Sequence, residues 1–155
     1  MKDIVKFVKG IDPVADVFAG TVYSDVISMK EHKQCTFLIY KGVSTGGTDD
    51  GVITVQACDN VTPSNRTAIP FRYQKINSGD TPGAITAVAA TGFSITAGSS
   101  QIIAVYVNAS DLASTGYGYV QLKQVEVTND PVVGAVVAIL SEGKYEKEVQ
   151  NTAIV

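Results

Sequence analysis

An antiparallel β-sandwich of jelly-roll type with extended terminal arms is the fold the sequence predicts. Three observations lead there. Short runs rich in Val, Ile, Thr, Tyr and Phe alternate between apolar and polar residues. Clusters of Gly, Asp, Asn, Ser and Pro separate them, as turns do. No stretch sustains the 3.6-residue period of an amphipathic helix. The 155 residues make one ordinary domain, and 45% hydrophobic content with 17% charged residues is a globular composition.

The elements follow in order. Residues 1–22 form an arm or edge segment; "IVKFV" suits a short strand, and "DPVADVFAG" begins with a turn or helix start. "YSDVISM" reads as a short strand and "KEHKQ" as a polar turn. "CTFLIYKG" is a strand ending at Gly42, and "STGGTDD" a Gly/Asp turn. "GVITVQAC" puts Ile53, Val55 and Ala57 on one face and Val52, Thr54 and Gln56 on the other. These two strands read as a β-hairpin. "DNVTPSNRT" is a loop. In "AIPFRYQKI", Pro70 lacks a backbone donor, so the strand sits at a sheet edge or begins there. After the loop "NSGDTPGA", residues 84–97 suit two short strands, with a helix the weaker alternative because β-branched residues and Gly92 oppose it.

"SSQIIAVYVNA" is a strand with Ile103, Val105 and Val107 opposite Ile102, Ala104 and Tyr106. "SDLAS" suits one helical turn capped by Ser110. In "GYGYVQLKQVEV", Val120 and Leu122 share a face, but the apolar parity then changes to Val125 and Val127. A β-bulge near Lys123 and Gln124 is the simplest account. "TNDP" turns the chain into "VVGAVVAIL", which is apolar on both faces. One face belongs to the sandwich core, and the other is open to a neighbouring subunit. The body thus spans 23–143, with a tail at 144–155.

The formal net charge is −3, and Lys/Arg runs are missing, so the electrostatic footprint of nucleic-acid binding is not there. No apolar stretch approaches the roughly 18 residues of a membrane span, and the N-terminus does not read as a signal peptide. Cys35 and Cys58 are expected as free buried thiols; a disulfide stays open if their strands are neighbours.

The candidate chemistry is sparse. His32 is the only histidine, so any Ser–His–Asp or Cys–His arrangement must use it; its charged surroundings predict a solvated loop residue. Asp49 and Asp50 beside Gly46, Gly47 and Gly51 lack the spaced oxygen ligands of a calcium loop and read as a turn. Asp25, Asp80, Asp111 and Asp130 sit in predicted loops, where aspartate stabilises turns rather than forming a glycosidase pair. Asn60, Asn65 and Asn108 open N-x-S/T triplets, which need a secretory context to matter. Tyr106, Tyr117 and Tyr119 are a candidate sugar platform or a set of cross-strand packing residues. No catalytic, cofactor-binding or metal site is predicted. The interface candidates are Tyr117, Tyr119, Val132, Val133 and Gly134. Gly134 is singled out because glycine inside an apolar strand marks close backbone approach.

Taken in order, "CTFLIYKG", "GVITVQACDNVTP", "TAIPFRYQKI" and "GYGYVQLKQVEVTNDPVVGAVVAILSEGKYEK" resemble small virion structural proteins of tailed bacteriophages, over roughly residues 23–147. The resemblance implies a non-enzymatic capsid decoration or cement protein, made in the host cytoplasm and placed on the capsid surface. Its implied partners are the major capsid protein and copies of itself, without nucleic acid, membrane, small-molecule substrate or cofactor. A head–tail connector or tail component, and a carbohydrate-binding β-sandwich module, remain alternatives.

Overall fold

The computed structural model describes residues 5–76 and 79–144. Residues 145–155, most of the expected C-terminal arm, lie outside the described residues, as do 1–4 and 77–78. The described chain forms twelve strands: β1 (Lys6–Val14), β2 (Thr21–Tyr23), β3 (Ile27–Ser28), β4 (His32–Lys41), β5 (Asp49–Cys58), β6 (Arg66–Ile69), β7 (Phe71–Ile76), β8 (Thr86–Val88), β9 (Phe93–Thr96), β10 (Gln101–Asn108), β11 (Tyr119–Glu126) and β12 (Gly134–Gly143). A 3-10 turn at Ala109–Leu112 follows β10.

Two antiparallel sheets result. One runs β1-β12-β4-β10-β7-β8, and the other β2-β11-β5-β6, with β3 on β11 and β9 on β5. The pairings nest: β1 with β12, β2 with β11, β4 with β10, β5 with β6. A long antiparallel ribbon wrapped in this way, its successive pairs alternating between sheets, is the jelly roll the sequence predicts. The cause is visible in the strand faces. Phe37, Ile39, Ile103, Val105, Val136 and Ala138 from one sheet meet Ile53, Val55, Val120 and Leu122 from the other, in one buried cluster. Neither sheet can bury that face alone, so they close on each other.

Several local expectations change. β4 and β5 are not a hairpin: β4 pairs with β10 and β12, while β5 pairs with β11, β6 and β9. Residues 42–48 instead carry the chain from one sheet to the other. The strand expected across Pro70 is two strands. β6 lies in one sheet and β7 in the other, with Pro70 at the crossing. The missing donor falls at a corner, after the edge strand β6 and directly before the start of β7, in keeping with the expectation of an edge or a strand start. Residues 84–97 do form two short strands, β8 and β9. The 3-10 turn is capped by Asn108 rather than Ser110, and the Asp111 carboxylate accepts the Asn108 N–H at 2.8 Å.

No bulge occurs at Lys123–Gln124. β11 keeps one register along β5 from Tyr119↔Cys58 to Glu126↔Gly51. The parity break arises because Gln124, opposite core-facing Ile53, is itself turned inward and fully buried. The irregularities lie elsewhere, in β1 after Lys9 and in β5 after Asp49. Of the two readings of the N-terminal segment, arm or edge, residues 6–14 follow the second and form the edge strand β1.

Candidate interaction surface

The two outer faces of the sandwich differ in chemistry. On the β2-β11-β5-β6 sheet the outward side chains include Gln56, Lys123, Tyr119 and Tyr23, and cations lie over the rings. Lys30 Nζ is 4.9 Å from the Tyr119 ring centre, and the Arg66 guanidinium is 5.3 Å from that of Tyr23. Such a face is at ease in water.

The opposite face, on β1-β12-β4-β10, is apolar. Register places Phe7, Ile139, Thr36 and Tyr106 in one row across the four strands. The next row is Lys9, Val137, Leu38 and Ala104, and the third is Ala135, Tyr40 and Ile102. Alternation forces these residues outward, since Val8, Val136, Ala138, Phe37, Ile39, Ile103 and Val105 take the core side. Phe7 is 71% exposed, Tyr40 59%, Val133 57% and Val137 38%. The charge within these rows is Lys9 on the edge strand, and its ammonium pairs with Asp12 at 2.9 Å.

An open pocket of about 350 Å³ adjoins this face. Pro13, Tyr40, Gly42, Ser100, Val133 and Ala135 line it together with Lys41 and Gly134. Two backbones meet here at close range. The Gly42 N–H donates to the Val133 carbonyl at 2.7 Å, and a Cβ on Gly134 would stand 2.9 Å from both the Tyr40 carbonyl oxygen and Val17 Cγ1. Gly134→Val is therefore expected to destabilise by about 1–3 kcal/mol through overpacking. A thermal melt unchanged from the parent would contradict that close approach.

The sequence-predicted residues are dispersed. Val132 is fully buried in the core, Val133 is exposed beside the pocket, and Gly134 is half-buried at its floor. Tyr117 packs against the core cluster, Tyr119 lies under Lys30 on one outer face, and Tyr106 is on the other, its hydroxyl donating to Gln74 Oε1 at 2.9 Å. No common platform brings these three rings together. His32 is not a solvated loop residue: it opens β4 opposite Gly143 and is 2% exposed.

Asp50 is turned inward, and its carboxylate meets Lys41 Nζ at 2.5 Å, with both side chains buried. Asp49 is only half-buried, so the two acids do not face one cation together. This buried ion pair is the feature the sequence reading missed. Asp130 and Asp111 do stabilise turns. Asp130 Oδ2 accepts the Thr45 and Gly46 N–H groups at 2.7 and 2.6 Å, and these bonds hold its carboxyl below the usual range.

Cys35 and Cys58 are free, buried and on different sheets. Burial pushes the Cys58 thiol up to about 11, with the Arg66 charge opposing, and pushes Cys35 up further. Neither is poised as a nucleophile. Among the described residues no helix is long and apolar enough to cross a membrane.

No protein-family model matches the chain, and no curated protein matches it. Among solved structures, the fold is similar to the crystal structure of the SPBc2 prophage-derived protein YomS. The TM-score is 0.49 at 14% identity, covering 92% of this chain and 96% of that one.

Proposed function

We propose that this protein is a non-enzymatic structural component of a tailed-phage virion, a decoration or cement protein that binds the outside of the head shell. The supporting observation is the apolar outer face of the β1-β12-β4-β10 sheet. Phe7, Tyr40 and Val137 stand exposed there, and Val133 beside them, although alternation would have let polar residues take those positions. Contiguous apolar patches of several hundred Å² mark interaction surfaces. The ordered resemblance of residues 23–147 to small virion proteins points to the shell as the place where that surface is used.

The physical demands of such a role are met by this body. A cement protein needs a rigid scaffold, which two sheets closed on one buried core supply. It needs a surface for stable association, and the largely apolar sheet face provides one. Weak single contacts suffice, because repetition over a shell multiplies them.

Heads assembled with and without this protein provide the test. Heads carrying it are expected to resist mild heat or chelator longer, and to show many copies over the shell by cryo-electron microscopy. Equal shell stability, together with failure to copurify with heads, would sink the proposal. A few copies at one vertex would move the protein to the head–tail junction instead.

A further inference from the structure

We infer that the occupant of the apolar face is a second copy of this chain, stacked sheet against sheet about a two-fold axis, with Phe7 of each copy seated in the other's Pro13–Tyr40–Val133 pocket. The inference rests on reading that face as the interaction surface, and it names the partner.

Three features carry it. The first is charge. The three rows carry Lys9 at one rim, paired with Asp12 at 2.9 Å, and the first row continues on β7 to Arg72 at the other. Identical copies therefore meet with no charge at the centre of the face, and the two-fold brings the two Lys9–Asp12 pairs together at the rim. The cationic opposite face, with Lys30, Arg66 and Lys123 over its tyrosines, has no such suitability.

The second is size. Four strands about 4.8 Å apart, presented over about 20 Å of length, give roughly 400 Å² in projection. Side-chain relief and exposed Val133 enlarge it. That area suits the apolar centre of a standard interface, which buries about 800 Å² on each partner.

The third is position. Phe7 lies opposite Ile139 at one end of the β1–β12 pair, and Val14 lies opposite Gly134 at the other. The pocket is at that second end, lined by Pro13, Tyr40, Val133 and Ala135. A two-fold axis in the plane of contact and across the strands reverses strand direction in the second copy. The Phe7 end of one copy then lies over the pocket end of the other, twice, by symmetry. The most exposed aromatic of the face is thereby matched to the concavity of the same face, as in the pairing of anchor and pocket at interface hot spots. The contact is face to face, so the edges of β1 stay free of it.

The experiment is the solution mass of the purified full chain, by light scattering after size exclusion at several concentrations. The expected mass is twice the chain's 16.3 kDa. Phe7→Asp is expected to reduce it to one chain while the β-sheet circular dichroism and melting are retained. Tyr40→Glu, on a different strand, is the second variant should the first fail to fold. Phe7→Cys combined with Val133→Cys is expected to give disulfide-linked dimers under mild oxidation. A monomer at all concentrations, a trimer, or a dimer insensitive to both charged variants would overturn the inference. A monomer that still decorates heads would overturn the self-pairing and leave the virion role intact. A dimer that never copurifies with heads would uphold the pairing and remove the virion role.

Discussion

Asp50→Ala is expected to lower stability by about 3–5 kcal/mol, the range for removing one partner of a buried ion pair. Lys41 and Asp50 flank the crossing between the sheets, at the end of β4 and the start of β5, and both are essentially sealed from water. Lys41 Nζ contacts Asp50 Oδ2 at 2.5 Å and Ser44 Oγ at 3.3 Å. Without the carboxylate, the ammonium keeps one neutral partner in a low-dielectric setting. It must then stay buried without a counter-charge or open the end of the sandwich.

The surroundings make opening costly. Ser100 Oγ holds the Lys41 carbonyl at 2.9 Å, and Ser44 Oγ accepts the Gly98 N–H at 2.8 Å, so the two loops at this end are tied together. A domain of this size loses roughly 2–4 °C in Tm per kcal/mol, so the shift is near 10 °C. The double variant Lys41→Met with Asp50→Leu is expected to recover most of that loss, since well-packed apolar replacements of buried pairs are often neutral or stabilising. Urea unfolding of the four members of the cycle measures both effects. A single variant within about 0.5 kcal/mol of the parent would show that the pair is hydrated and of little consequence.

The sandwich was legible in the sequence because alternation is a strong signal where a sheet has one buried face. Ile53, Val55 and Ala57, and Ile103, Val105 and Val107, all face the core as the period-two pattern requires. The apolar character of both faces of β12 was legible for the same reason. Gln124 defeated the parity argument because it places an amide in a core position, where neither side-chain polar atom has a protein partner. Nothing local marks such a residue.

Sheet membership was also hidden. A Gly/Asp-rich connection such as 42–48 looks the same whether it closes a hairpin or crosses between sheets. The buried pair was obscured for a related reason. Lys41 looks like the polar end of a strand and Asp50 like a turn charge, and only the crossing turns both inward. His32 followed the same logic: polar neighbours predicted exposure, whereas register with Gly143 buried it.

Gly92→Ala is expected to cost about 2–5 kcal/mol, from two separable sources. The first is conformational. Gly92 has φ +85°, a region that costs an L-residue about 1–3 kcal/mol. The second is steric. A Cβ there would stand 2.1 Å from the Ile53 carbonyl oxygen and 2.6 Å from Thr54 Cγ2. The oxygen belongs to the backbone of β5, a strand paired along its length with β11, so it cannot swing aside. Relief requires β9 to move off β5, where Phe93 is paired with Ile53. That in turn disturbs the Phe93 ring, stacked on Tyr73 with centres 3.9 Å apart. Gly116→Ala is the internal control. Its φ is +71°, but no atom lies within 4 Å of the added carbon, so it carries the conformational cost without the collision. Chemical denaturation of both variants is expected to show Gly92→Ala the more destabilised by about 1–3 kcal/mol. Its amide exchange is expected to rise in β9 and at the facing half of β5, and to stay low in β12. Equal losses in the two variants would mean that the turn before β9 yields, and that the close approach of Gly92 to β5 is not what holds that strand in place.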